Sequence, residues 1–265
     1  MSWSAKLRKP VILAFFFLIA VLGTIEPIPN VENTIEGRDV VLAAYEGWEN
    51  AMESGLSIRV MTYNIHHGVG LDEVLNLGRI AADILRSGAD IVALQEVDRF
   101  NVRSGFQDQV RWLGEKTGMA WSFAPSMSWG FAQYGNAVLS RYPIVSTQVH
   151  MLPGTREQRT LMKAVIRIGD VHVNVFNTHL GVGLDERREQ VPIAAAVLRA
   201  AVGPSILMGD FNMESSHALM RILTENWEQV PIEANAPTVI GGSAIDHIYL
   251  NTAAFGAKAW TLPTD

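Results

Sequence analysis

The sequence predicts an α+β fold in which two mostly antiparallel sheets lie face to face with helices outside. Three observations carry that expectation. Strand-like segments follow one another through residues 120–180, helix-like periodicity flanks them, and no linker interrupts the chain after residue 56. Composition agrees: 48% hydrophobic and 18% charged over 265 residues excludes a disordered or fibrous chain. The absence of cysteine removes disulfide scaffolds, thiol nucleophiles and thiolate zinc clusters.

The elements follow in order. Residues 56–65 form a strand rich in β-branched and apolar side chains. Leu71, Val74, Leu75, Ile80, Ile84 and Leu85 recur at helical spacing, so a helix is expected there. Residues 91–95 make a short buried strand. A helix opens at Ser104 or Gly105, runs through Val110 and Leu113, and closes at Gly118. Five strands are expected near 121–124, 136–140, 145–151, 160–168 and 171–178, with Gly169-Asp170 as a two-residue hairpin turn. Asp185 caps a helix reaching Ala201, with a bend at Pro192. Strands at 206–209, 245–250 and 257–262 complete the domain, which spans 56–265.

The N-terminal part reads differently. Lys6, Arg8 and Lys9 precede an uncharged run from Pro10 to Ile25, intermediate between a signal h-region and a full membrane span. Residues 1–25 are therefore expected to be a signal peptide or membrane anchor, and 26–55 a spacer with a short helix over 39–52. The positive flank would stay inside, placing the domain outside the cytoplasmic membrane. Without residues 1–25 the chain has 18 basic against 27 acidic residues, a charge of −9. That argues against a general nucleic-acid binder, which needs clustered cations for phosphates.

Polar residues recur where apolar strands end: Asn64, His66 and His67 in YNIHHG, Glu96 in LQEVD, His179 in NTHLG, Asp210 and Asn212 in GDFN, and Asp246 and His247 in IDHIYL. A carboxylate ending a buried strand faces desolvation unless a cation or donor meets it. These residue types suit metal-assisted attack on phosphorus. Carboxylates hold a hard cation such as Mg²⁺ or Mn²⁺, imidazoles move protons near neutral pH, and amides hold phosphate oxygens. Zinc fits less well, since His66 and His67 are adjacent and HExxH is absent.

With YGNAVLSRYPI between them, these motifs resemble the endonuclease/exonuclease/phosphatase superfamily, the deoxyribonuclease I-like fold, over residues 56–250. The resemblance implies a four-layer α/β/β/α sandwich and divalent-metal-dependent phosphoester hydrolysis. By matching position, Glu96 is similar to the principal metal ligand and Asn64 to its neighbour on metal or phosphate. Asp210 and Asn212 resemble the pair that orients water and binds the scissile phosphate. His247 resembles the general base, Asp246 a metal- or water-positioning carboxylate, and His179 the second histidine, which donates to phosphate or leaving group. The family often supports its terminal histidine with an acid from a preceding strand; here only Thr238 stands nearby.

Simpler readings stand beside these. Taken alone, His66 and His67 read as supporting residues. Asp98 and Arg99 read as a solvated ion pair or turn, or as support for the neighbouring Glu96, and the tryptophans as core or loop anchors. Asn136 either satisfies backbone or faces the cleft, and Arg159 either grips substrate phosphate or lies at the surface. The expected activity is that of an exported or tethered phosphodiesterase on a lipid headgroup or small phosphoester, ahead of an extracellular nuclease or a non-catalytic binding module. No protein partner is implied.

Overall fold

The computed structural model of the chain describes residues 57–231, 238–239 and 242–251, together with the backbone of Val11–Phe15 and Ala257–Thr261. The first sheet contains β1 (Val11–Phe15), β2 (Arg59–Asn64), β3 (Ile91–Arg99), β4 (Ala120–Trp129), β5 (Ala132–Ser140) and β12 (Ala257–Thr261), in the order β12-β1-β2-β3-β5-β4. The second contains β6 (Ile144–Leu152), β7 (Arg159–Ile168), β8 (Val171–His179), β9 (Ser205–Asp210), β10 (Glu228–Gln229) and β11 (Asp246–Leu250), in the order β10-β11-β9-β8-β7-β6. Each sheet has one parallel pair, β2/β3 and β8/β9; the other pairs are antiparallel. The parallel pairs need crossovers, and these run through the helices α1 (Leu77–Ser87) and α3 (Leu184–Arg199).

Side-chain alternation divides the interior into three apolar layers, which makes the four-layer sandwich. Val60, Ile91, Ala93 and Val138 face Met162, Val175, Met208 and Ile248 between the sheets. Met61, Val92 and Leu94, each one residue along, point outward and pack under α1 and α2 (Gln109–Thr117) against Ile80, Ile84 and Leu113. On the opposite side Phe176, Leu207 and Tyr249 pack beneath α3 and α4 (Ala218–Leu223).

Local hydrogen bonding moved several expected boundaries. The helix expected from Leu71 begins only at Leu77, and Leu71, Val74 and Leu75 are exposed. Asp72 Oδ1 accepts from Val74 N at 3.0 Å, which turns the chain away from helix until Asn76 caps α1. Similarly, Asn101 caps a 3₁₀ turn, Val102–Ser104, ended by left-handed Gly105, and α2 starts after Asp108. Gly118 closes α2 as expected, and Gly169-Asp170 joins the paired ends Ile168 and Val171. Gly183, not Asp185, caps α3, which continues through Pro192. Helix α4 and strand β10 were not anticipated; both are short.

The N-terminal run also differs in part. Val11–Phe15 pair with both β2 and β12, an extended state that Val, Ile and Phe favour. Residues 16–25, the 26–55 spacer and the helix expected at 39–52 lie outside the described residues. No helix among the described residues is long and apolar enough to cross a membrane.

His247 requires a correction. Opposite β9, Asp246 pairs with Asp210 and His247 with Gly209. Strand alternation then sends Asp246 with Ile248 towards the space between sheets, and His247 with Tyr249 outward. The His247 ring lies 5.7 Å from that of Phe211 and 6.1 Å from that of Tyr249. Its Nε2 lies 2.8 Å from the Met213 carbonyl oxygen, and Gln229 Nε2 lies 3.4 Å from its Nδ1. A carbonyl only accepts, so the proton belongs on Nε2. The position expected for a base is thus a buried histidine of the outer layer.

Burial pushes the His247 imidazole down to about 4. Between that value and about 6.5 the unfolded chain binds a proton that the folded chain does not. Stability from this residue is therefore fully present above about pH 6.5. It falls as pH drops towards 4, by up to about 1.4 kcal/mol per unit. His247→Phe should flatten this part of the pH dependence while costing about 1–3 kcal/mol at neutral pH, because the Met213 carbonyl loses its donor. Urea unfolding from about pH 7.5 to 5 measures both; an unchanged pH slope in the variant would contradict the assignment.

Candidate active site

The two parallel pairs end together. Asn64 stands opposite Gln95 at the end of β2/β3, and His179 opposite Asp210 at the end of β8/β9. Because the sheets are stacked, these ends meet across the sandwich. Asn64 Nδ2 donates to Glu96 Oε1 at 2.8 Å and to Asp210 Oδ2 at 3.0 Å. One amide thereby holds a carboxylate from each sheet.

Glu96 reaches this place through a β-bulge. The β3–β5 register passes from Leu94↔Ala137 to Val97↔Gly135, leaving Gln95 and Glu96 opposite Asn136 alone. The extra residue re-aims Glu96, whose φ is 58°. Gln95, fully buried, donates to Asn177 Oδ1 at 2.7 Å, and Asn177 donates back to the Leu94 and Ala137 carbonyls at 2.9 Å. This bridge between sheets forms the floor of the site.

Asp210 is fully buried, accepts from two donors and has His179 beside it. Besides Asn64, the Asn212 backbone N–H approaches Oδ1 at 3.0 Å and His179 Nε2 lies 3.1 Å from Oδ2. Arg159 Nη1 is 3.2 Å from His179 Nδ1. A guanidinium can only donate, so Nδ1 accepts and the Nε2 proton faces Asp210. Arg159 is held in turn by Glu157 at 2.9 Å. Burial raises the Tyr134 phenol well above its usual range. The preceding Gly209 has φ 149°, and a Cβ there would fall 2.0 Å from the Thr178 carbonyl oxygen, so only glycine lets β9 approach β8 so closely.

The remaining expected residues divide. Asp246 is buried beside Asp210 on the neighbouring strand, with its N–H 3.2 Å from Thr238 Oγ1. Asn212, at φ 52°, donates to the Leu180 carbonyl at 2.7 Å. Asn136 is buried and donates to the Thr160 carbonyl at 3.2 Å, so it joins β5 to β7. Arg159 is buried beside His179 and does not lie at the surface. His247 is apart, as described above.

Three further features surround the cluster. Asp98 is no solvated residue: it is fully buried and makes a two-pronged pair with Arg103, at 2.8 Å for each contact, while Arg99 pairs with Asp108. His66 and His67 lie beside Glu96, with candidate ligand atoms of all three within 4.8 Å of one another. Burial, then Arg103 and His66 nearby, holds the His67 imidazole down at about 4. Finally, a cavity of about 630 Å³ opens next to Tyr134 and Glu157, between the 100–106 loop and the β4–β5 hairpin. Phe106, Trp129 and Phe131 line it with more than half their surfaces exposed, and Arg103 and Arg156 add cations. The signals were aromatic residues flanking Gly105 and Gly130, but only the fold brings those loops together.

The donor set suits a divalent cation. Carboxylate and amide oxygens from Asn64, Glu96, Asp210 and Asp246 gather at one end of the sandwich, and the Nδ1 atoms of His66 and His67 are buried without a hydrogen-bond partner among the described residues.

Comparison with known proteins supports the same reading of the fold. Residues 61–264 match the Endonuclease/Exonuclease/phosphatase family. Protein cwh43 of Schizosaccharomyces pombe is 26% identical over 177 residues, covering 64% of this chain but only 18% of that protein. The chain therefore spans under a fifth of that relative's length. Among solved structures, an endonuclease/exonuclease/phosphatase from Beutenbergia cavernae superposes with a TM-score of 0.60 at 22% identity, over 74% of this chain and 64% of that one. The mannosyl-6-phosphatase Bt3783 of Bacteroides thetaiotaomicron gives 0.58 at 19% identity, over 73% and 85%. The human Nocturnin catalytic domain, with a bound sulfate anion, gives 0.54 at 21% identity, over 74% and 83%. With residues 61–264 of its 265 matched, the chain belongs to the Endonuclease/Exonuclease/phosphatase family.

Proposed function

We propose that this protein is a divalent-metal-dependent phosphoesterase acting on a lipid headgroup or another small phosphoester. The observation that carries the reading is the meeting of Asn64, Glu96, Asp210 and His179 across the two sheets, as a chain of contacts from Glu96 through Asn64 and Asp210 to His179. Family members are phosphoester-acting hydrolases and generally depend on a divalent metal. A polar cluster kept only for stability would be an expensive use of so many buried charges.

The chain's own residues divide the work. Glu96, Asn64 and Asp246 would hold the cation, which supplies neutralisation of charge developing on the phosphoryl oxygens. Asp210, anchored by the Asn64 amide and the Asn212 N–H, positions the attacking water and takes its proton. His179 keeps its Nε2–H beside Asp210, and on turning from that carboxylate it would donate to a phosphoryl or leaving-group oxygen. Arg159 keeps that proton on Nε2 by occupying Nδ1, and Glu157 fixes the guanidinium. Asn212 supports the loop after Asp210, its Nδ2 donating to the Leu180 carbonyl.

The aromatic cavity favours substrates with an apolar or ring-bearing portion beside the phosphate. Net charge of −9 beyond residue 25 disfavours a nucleic-acid backbone, which supports the small or lipid phosphoester over the nuclease reading. Export, with the basic flank inside, is supported by Lys6, Arg8, Lys9 and the uncharged run. The strand Val11–Phe15 favours a second reading, in which that run begins the domain itself, since one segment cannot pair in the sheet and cross a bilayer at once. Fractionation with N-terminal sequencing separates the two.

Glu96→Gln should lower kcat/KM by about 10²-fold or more on a phosphoester panel with Mg²⁺ or Mn²⁺, because the amide lacks the charge that holds a hard cation. Near-normal turnover at saturating metal would overturn the assignment. His179→Ala should reduce kcat far more than it changes KM, since its proton matters chiefly in the transition state. For the cavity, Phe131→Ser together with Trp129→Ser should raise KM about 10-fold for an acyl-bearing phosphoester and leave kcat near wild type. Equal loss on a substrate without an apolar group would count against the cavity as a subsite.

A further inference from the structure

We infer that the turn after β2 gives this protein a nitrogen-rich cation site, His66, His67 and Glu96, that selects a transition-series divalent ion over Mg²⁺. The inference rests on Glu96 serving as a metal ligand in the reading above, and adds the two imidazoles to it.

Geometry comes first. One candidate ligand atom from each residue lies within 4.8 Å of the others, and the two imidazole centroids are 4.4 Å apart. Ligands around an ion bonded at about 2.1 Å sit roughly 3–3.5 Å from each other, so small side-chain rotations would complete the set. Neither ring spends its Nδ1 elsewhere: both atoms are buried and lack a hydrogen-bond partner among the described residues. Buried polar nitrogens normally have one.

The backbone is built to hold this arrangement. His66 and His67 both have φ 44°, and Glu96 has φ 58°, conformations that side-chain-bearing residues seldom adopt. Each is fixed by specific bonds. Asn64 Oδ1 accepts the His66 N–H at 3.0 Å, Gln109 Nε2 donates to the His67 carbonyl at 2.6 Å, and Asn64 Nδ2 pins Glu96 Oε1. Strain sustained at three neighbouring side chains, all of them competent ligands, needs a common use. The nearby Arg103 does not compete for Glu96, because Asp98 takes it through two contacts.

Two imidazoles and one carboxylate are a borderline-soft set. Mg²⁺ prefers oxygen and keeps its water, whereas Mn²⁺, Co²⁺ and Zn²⁺ accept imidazole nitrogen readily. The full-length protein should therefore bind Co²⁺ at a site with imidazole character and hold it at least about 10-fold tighter than Mg²⁺.

Direct binding tests this without reference to turnover. Co²⁺ titration, read by its visible absorption, is compared for the wild type, His66→Asn, His67→Asn and Glu96→Gln. Asparagine tolerates the left-handed backbone but has no ring nitrogen, so the turn should survive. Each histidine variant should weaken Co²⁺ about 10-fold or more and change Mg²⁺ affinity under about 3-fold. Unchanged Co²⁺ affinity and spectrum in both would overturn the site. Should a variant misfold by near-ultraviolet circular dichroism, pulsed electron paramagnetic resonance of Mn²⁺ bound to the wild type decides the matter. Nitrogen-14 coupling supports the imidazoles, and an oxygen-only signal refutes them. Histidine-dependent Co²⁺ binding without phosphoesterase activity would sink the proposed function and leave this site standing; Glu96-dependent activity with an oxygen-only ion would do the reverse.

Discussion

The Asn64 side chain, donating at once to Glu96 and Asp210, is the contact on which the rest of the molecule turns. Two carboxylates from different sheets repel one another and are costly to desolvate. They share this edge because a neutral donor stands between them and further donors surround Asp210. The sandwich must therefore bring the ends of β2/β3 and β8/β9 together. The apolar layer between the sheets supplies the driving force, and the Gln95–Asn177 bridge below the site fixes which residues meet. A slip of one residue in β9 would turn Asp210 into the outer layer and leave Asn64 with one partner.

The polar network is continuous from the surface inward. Glu157 holds Arg159, Arg159 meets His179, His179 faces Asp210, and Asp210 receives Asn64. Each group is oriented by the next, so its proton position follows from chemistry. In water such contacts would contribute little; within a buried cluster they decide the direction in which a proton can move.

Backbone strain gathers at the same end. His66, His67, Glu96 and Asn212 all have positive φ, at a typical cost of about 1–3 kcal/mol each. Regular strands could not aim these side chains at one point, because alternation would send successive residues to opposite faces. The bulge at Gln95–Glu96 and the turn at His66–His67 break that alternation where the cluster needs it. Outside the cluster, the aromatic loops around Phe106 and Phe131 form a wall that meets it at Arg103, Tyr134 and Glu157.

Much of this protein was determined by its sequence alone. Period-two and helical patterns located most of the strands and three of the four described helices, because burying an apolar face imposes its period directly on the residues. The polar ends of those strands were legible too: Asn64, Glu96, His179 and Asp210 each follow an apolar run, Asp246 opens β11 opposite Asp210, and the fold brings them to one end of the sandwich. Tertiary structure decided what one-dimensional patterns do not encode. Which face of β11 turns inward depends on its pairing with β9, and that put His247 in the outer layer instead of the cluster. Asp98 became a buried partner of Arg103 only because the 100–106 loop folds back over β3. The His66–His67–Glu96 grouping joins residues thirty positions apart through a bulge, a feature set by long-range register. Periodicity reports which side chains must leave water; only packing decides which of them meet.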